Sequence, residues 1–208
     1  MAREEGRAKC RAIAGALQFY GVEPRRGAEV GVYEGDLSAA LLERYPDLQL
    51  YMVDWWRAAE PDSEYRRSGD KLALLTQEEM NKARAKAMEV AHLFRPERVC
   101  VLCGESGLIS VKVPDLSLDF VFVDADHTFD AVLRDLRLWV PKVRRGGIIS
   151  GHDWYENRRR FELFQVPQAV RAFRAEMGLA AGRENCEECD MGGGIRRGAE
   201  LTWFFQKP

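Results

Sequence analysis

Two short stretches hold two of the chain's three histidines together with three carboxylates. Val121-Phe122-Val123-Asp124-Ala125-Asp126-His127 and Ile149-Ser150-Gly151-His152-Asp153 each close an apolar, strand-like run with acids and an imidazole. Neighbouring parallel strands end on one side of a sheet, so Asp124, Asp126, His127, His152 and Asp153 are expected at a single rim. Helix capping or a satisfied rim hydrogen bond accounts for any one of them. It accounts poorly for all five, because like charges at one rim repel unless a cation or substrate separates them. The chemistry implied is acid–base work, a divalent-metal site, or both.

A third stretch, Ala28-Glu29-Val30-Gly31-Val32-Tyr33-Glu34-Gly35, runs from a strand into a helix. Gly31 and Gly35 permit a tight turn and close approach of a ligand to the backbone. No glycine stands two residues after Gly31, so this is not the G-x-G-x-x-G of dinucleotide binders, and a nicotinamide-dependent oxidoreductase is disfavoured. The acid Glu29 would repel a phosphate and suits an amine-bearing ligand instead. Asp54 closes Tyr51-Met52-Val53-Asp54, where folds of this kind meet a ribose. Trp55 and Trp56 follow, either as an aromatic wall for a base or as packing beneath the next segment.

The elements that must position these residues alternate in type. Strands are expected at 28–33, 48–54, 99–103, 118–123 and 148–150, helices at 7–20, 37–45, 76–94, 129–140 and 167–177, and an antiparallel strand at 200–206. Thr76 with Glu79 three residues on forms a capping box that starts the long helix at 76–94. This pattern predicts one α/β domain over 1–208, a doubly wound, Rossmann-like, seven-stranded and mostly parallel sheet with an antiparallel terminal strand and helices on both faces. Residues 55–69 read as a long polar loop, and 55–94 as a lid or insert. The pairs Cys100/Cys103 and Cys186/Cys189 have zinc-like spacing. The first pair, however, reads as a buried strand whose odd separation sends the two thiols to opposite faces. The second pair, before a glycine run, can be a metal knuckle, a redox pair or incidental; Cys10 stands alone.

Composition removes some classes. Thirty-one basic residues against 33 acidic ones leave a net charge of −2, with no general drive towards nucleic acid or an anionic membrane. No apolar run approaches the roughly 20 residues that span a bilayer. A cytoplasmic protein acting on a small-molecule partner, as a monomer or homo-oligomer, is the expectation, with no nucleic-acid or membrane partner.

On these motifs the chain resembles class I S-adenosylmethionine-dependent methyltransferases over roughly residues 25–155. The run 29–35 looks like their first motif, Asp54 like the acid after it, and Gly104-Glu105-Ser106 like their adenine loop. The resemblance implies S-adenosyl-L-methionine as cofactor, bound by Glu29, Gly31, Tyr33, Gly35, Asp54, Trp55, Glu105, Ser106 and Asp124. Glu105 also reads as the N-terminal acid of a helix. The D-x-D-H and H-D stretches are similar to a small-molecule subfamily that includes antibiotic sugar O-methyltransferases, and to the metal-dependent catechol and caffeoyl-coenzyme A types. That similarity implies Asp124, His152 and Asp153 as ligands of a divalent metal. The catechol type has Asp-Asn where this chain has His152-Asp153, so Mg²⁺ leads and Mn²⁺, Fe²⁺ or Zn²⁺ are admitted. A substrate hydroxyl would attack the sulfonium methyl, with His127 as general base and Asp126 orienting it. Without a metal, His127 or His152 would act alone. Residues 55–94 and 154–164 would flank the acceptor, Trp154 and Tyr155 would line its pocket, and Arg66 and Arg67 would favour a polar or anionic molecule. A non-catalytic ligand-binding protein on the same fold is the alternative; it predicts erosion of the strand-end residues, which here are intact.

Overall fold

The run Leu118–Val123 lacks any polar alternation except Asp119, and a strand of that kind needs cover on both faces. It lies at the centre of the sheet with all six residues buried. The computed structural model describes residues 3–94, 96–155, 164–179, 196–197 and 201–208. In chain order the elements are α1 (Glu4–Phe19), β1 (Arg26–Val30), α2 (Asp36–Arg44), β2 (Gln49–Asp54), α3 (Glu64–Arg67), α4 (Gln77–Leu93), β3 (Val99–Cys103), α5 (Ser106–Ile109), β4 (Leu118–Val123), α6 (Phe129–Trp139), β5 (Val143–Gly151), α7 (Val166–Glu176), β6 (Arg196–Arg197) and β7 (Trp203–Gln206).

Six strands of four to nine residues carry a mostly parallel sheet in the order β3-β2-β1-β4-β5-β7. β1 to β5 are mutually parallel, and β7 runs antiparallel to β5. Among the described residues, the two of β6 pair beyond β7. The chain builds outward from β1 to β3 and then returns to lay β4 on the other side of β1. That reversal opens a crevice at the carboxyl ends of β1 and β4, where ligands of open α/β sheets sit.

Side-chain alternation divides the core between the two faces. Phe120 and Phe122 of β4 join Leu50, Met52 and Ile148 beneath α1, α2 and α4. Val121 and Val123 point the other way, with Ala28, Val30, Val53 and Ile149, beneath α6 and α7. Each fully buried phenylalanine contributes about 2–3 kcal/mol. By the same period of two, Glu29 turns away from Ala28 and Val30 and faces the α2 side, where it meets Ser38. The α4 capping box forms as expected: Thr76 accepts from the Glu79 N–H and Glu79 accepts from the Thr76 N–H.

Several expectations are corrected. β3 is not a buried strand but an edge strand with only β2 as partner, so Cys100 and Cys103 are both exposed. β5 begins at Val143 rather than 148, because its register shifts against β4 between Leu118 and Phe120 and absorbs the Gly146-Gly147 bend. The opening helix starts three residues earlier, at Glu4. Within 55–69 the structure contains α3, capped by the Ser63 hydroxyl.

Candidate functional site

The bend after β1 is built from backbone geometry. Gly31 has φ +94°, and a Cβ there would lie 2.1 Å from the Asp124 carbonyl oxygen. Its glycine is therefore demanded by the close approach of the β1 and β4 ends. Tyr33 follows in the left-handed region at φ 52°. Asp54 holds this bend: Oδ2 accepts from the N–H groups of Val32 (2.9 Å) and Tyr33 (2.8 Å), and Oδ1 accepts from Trp56 N–H (2.7 Å). Burial still pushes the Asp54 carboxyl above its ordinary value, against those bonds. Glu29 is buried with the Ser38 hydroxyl as its partner, and burial lifts it to about 8 despite that bond. At neutral pH it is largely protonated. Gly35 sits at the N-cap of α2 with φ +87° and borders neither cavity described below.

Two open cavities flank the β1–β4 crevice. The smaller, about 310 Å³, is bordered by Val53, Asp54, Trp55, Glu105, Ser106 and Asp135. The larger, about 530 Å³, is bordered by Lys9, Glu29, Asp70, His127, His152 and Asp153. Gly31, Tyr33, Leu72 and Asp124 border both. The tryptophans divide the two roles open to them. Trp55 is 48% exposed, with the Arg57 guanidinium 4.9 Å from its ring centroid. Trp56 is buried, and its indole N–H donates to the Tyr33 carbonyl at 2.8 Å. Glu105 is both a cavity wall and the N-cap residue of α5.

The rim gathers around Asp124. Lys9 Nζ donates to Asp124 Oδ2 at 2.8 Å and reaches Glu5 at 3.0 Å. On the other side, Asp124 Oδ1 lies 3.6 Å from His127 Nε2 and 3.9 Å from His152 Nδ1. Asp153 Oδ2 lies 2.8 Å from His127 Nε2 and 3.1 Å from His152 Nδ1. The 2.8 Å contact is off the direction of a hydrogen bond, so His127 Nε2 is buried without one. His127 Nδ1 meets Asp70 Oδ2 at 3.1 Å, and its ring stacks on Phe164 with centroids 4.7 Å apart. Asp153 holds its place at φ 58°, a left-handed conformation that an acid or amide tolerates better than other side chains.

Burial works against every charge here, and the neighbours decide the outcome. For Asp124 the contact with His127 and the charges of Lys9 and His152 overcome burial and lower the carboxyl, and for Asp153 the contacts with His127 and His152 overcome burial and hold it well below the ordinary carboxylate range. For His127 the three acids Asp124, Asp153 and Asp70 overcome burial and raise the imidazole well above its ordinary value. Lys9 is raised likewise by Asp124 and Glu5. Among the described residues, Asp124, His152 and Asp153 place one donor atom each within 4.8 Å of one another. Two carboxylates, an imidazole and an orphaned buried Nε2 beside them form a donor set that fits a divalent cation.

Sequence reasoning missed two partners at the rim. Asp70, not Asp126, holds the His127 ring: Asp126 accepts from Thr128 N–H at 2.9 Å, at the start of α6. Asp70 lies in the β2–β3 connection, where it also accepts from Leu72 N–H. Only its place beside Gly69 hinted at a special turn. Lys9 had no signal at all, since it lies on one face of an ordinary amphipathic helix. Arg66 and Arg67 do not face the acceptor side; their guanidinium groups donate to the carbonyls of Ala73 and Asp62. Tyr155 borders the larger cavity, whereas Trp154 is buried in the α6–α7 core. Cys186 and Cys189 lie outside the described residues.

A doubly wound sheet with a split cleft at its switch point, and a charged rim beside it, is the arrangement in which open α/β sheets bind ligands. The family profile for a methyltransferase domain matches residues 28–154, which contain the bend, Asp54 and the acids and histidines of the rim. The chain belongs to this methyltransferase-domain family, and its fold is that of the S-adenosylmethionine-dependent enzymes. Among solved structures it is similar to a Podospora anserina methyltransferase bound to S-adenosylhomocysteine (14% identity, 96% of this chain and 78% of that one, TM-score 0.56). It is also similar to a Staphylococcus aureus protein provisionally assigned as a caffeoyl-CoA O-methyltransferase (12%, 95% and 82%, TM-score 0.57). A third is the precorrin-6y C5,15-methyltransferase of Geobacter metallireducens (10%, 100% and 90%, TM-score 0.56). No curated protein matches the sequence.

Proposed function

We propose that the protein is an S-adenosylmethionine-dependent methyltransferase acting on a hydroxyl of a small molecule, with a divalent cation, Mg²⁺ first, held by Asp124, His152 and Asp153. The observation that carries this reading is the wall common to both cavities. A cofactor with its adenosine in the smaller cavity and its sulfonium at Gly31 would present the methyl group to the larger one, beside Asp124 and His127. Trp55 would flank the base. The ligand's ammonium would approach Glu29, which releases its proton as the cation arrives.

A sulfonium methyl is already electrophilic, so the protein has to align the acceptor and remove its proton. A divalent cation at the rim would lower the pKa of a hydroxyl bound to it. His127 is the base, oriented through Nδ1 by Asp70, with Nε2 facing Asp124 and Asp153. Its proton is favoured by three carboxylates, Asp124, Asp153 and Asp70. Once Asp124 and Asp153 are committed to another positive charge, that grip is released and the imidazole can accept a proton. The thioether left behind is neutral and leaves no charge to stabilise.

Arg3 and Lys9, which border the larger cavity, are already paired with Glu34, Asp36, Asp124 and Glu5. Lys71 borders the same cavity, so a polar, hydroxyl-bearing acceptor suits it, neutral or anionic. Titration calorimetry with S-adenosylmethionine and with NAD, each with Mg²⁺ or a chelator, tests the reading. We expect S-adenosylmethionine to bind in both conditions and NAD in neither. Binding of NAD without S-adenosylmethionine would end it, and turnover unchanged by chelator would remove the metal.

A further inference from the structure

Lys9 reaches the rim from α1, and its ammonium stands between two carboxylates. Nζ lies 2.8 Å from Asp124 Oδ2 and 3.0 Å from Glu5 Oε1. The two acids share a charge and little else. The Asp124 side chain is 12% exposed and turns its other oxygen, Oδ1, towards His127 and His152. Glu5 is 75% exposed, lies one turn before Lys9 on the same helix, and borders the larger cavity with it. Moving the ammonium from one acid to the other takes a rotation of the lysine side chain and no movement of α1.

Asp124 is also one of the three ligands proposed for the divalent cation, and one carboxylate cannot give its full charge to both partners. A cation at Oδ1 would face the lysine charge across a single carboxylate, where burial leaves little water to screen the two. We propose that Lys9 competes with the divalent cation for Asp124, and that Glu5 receives the ammonium when the cation takes the carboxylate. Lys9 is then a positioning residue that sets how tightly the rim holds its metal. Glu5, which is not in the donor set, acts only through Lys9. The inference rests on the metal reading given above.

The test is calorimetric titration of the full chain with Mg²⁺ at fixed pH and ionic strength. Lys9→Met keeps the apolar stem and removes the charge, so Mg²⁺ should bind about tenfold more tightly. Lys9→Arg keeps the charge and should stay within about threefold of wild type. Glu5→Gln takes away the second seat of the ammonium and should weaken Mg²⁺ about threefold. In the Lys9→Met background the same change should have no effect, because no ammonium remains to be received. A general loss of negative charge would instead weaken both backgrounds alike. Binding no tighter in Lys9→Met, or an equal effect of Glu5→Gln in the two backgrounds, overturns the inference. Should Lys9→Met fail to fold, Lys9→Gln, which keeps a donor for Asp124, carries the same comparison. If neither wild type nor the uncharged variant binds Mg²⁺, the metal reading itself falls, and this inference with it.

Discussion

Asp54 and Asp124 close two strands that flank β1 on opposite sides, yet they are satisfied in opposite ways. Asp54 takes three backbone N–H groups and pins the bend. Asp124 takes an ammonium and faces two imidazoles, all on side chains. Backbone donors cannot leave without rebuilding the loop, whereas side-chain partners can rotate away when a ligand or cation offers a better contact. The bend is thus a fixed scaffold, and the rim is an exchangeable set of charges. Burial opposes ionisation at both sites. It prevails at Asp54, and the neighbouring cations prevail at Asp124.

The largest effect should come from breaking the scaffold. Asp54→Ala strands the N–H groups of Val32, Tyr33 and Trp56, and we expect a loss of about 3–5 kcal/mol in urea unfolding together with loss of cofactor binding. A normal midpoint would show that Asp54 serves the ligand alone. Next is Glu29, whose raised value makes the unfolded chain release a proton that the native state keeps. Native stability should fall by on the order of a few kcal/mol as pH rises from about 4.5, the ordinary value, to about 8. Glu29→Gln should flatten that slope, and an unchanged slope would assign it to other groups.

At the rim the expectation reverses. Asp153→Asn keeps an amide that tolerates the left-handed backbone, so its melting temperature should move little. Mg²⁺ affinity and turnover should drop by about a hundredfold. Equal metal affinity in that variant would retire Asp153 as a ligand. The smallest effect is expected from Asp70→Asn, which removes one of the three charges that hold the His127 proton. Its imidazole titration, followed by NMR, should shift downward, and turnover should fall about tenfold. The sign follows from the raised His127 value: its stabilisation is complete below about pH 6.5 and is lost as pH climbs through the folded value, earlier in the variant than in wild type. An unshifted titration would break the link between Asp70 and the rim.

How much of the site was legible depended on whether a residue's role is local. The bend, Asp54 and the two rim stretches stand at strand ends, where the switch from apolar run to polar turn marks them in the sequence. A mostly parallel sheet could be expected from the alternation of elements, but the register shift in β5 and the edge position of β3 could not, because both depend on which neighbours pair. Trp55 and Trp56 show the limit most clearly. They are identical in type and adjacent in sequence, and the φ of 46° at Trp56 turns it into the core while Trp55 stays at the cavity mouth.

Hydrophobic periodicity and strand-end chemistry were enough, by themselves, to determine a parallel α/β sheet with acids and histidines gathered along one edge, since both are properties of neighbouring residues in the chain. Only the tertiary structure decided that Lys9 neutralises Asp124 and that Asp70 rather than Asp126 holds His127. Those pairings join residues 115 and 57 positions apart in the chain, and no local pattern encodes a contact made only when separate elements close on one another.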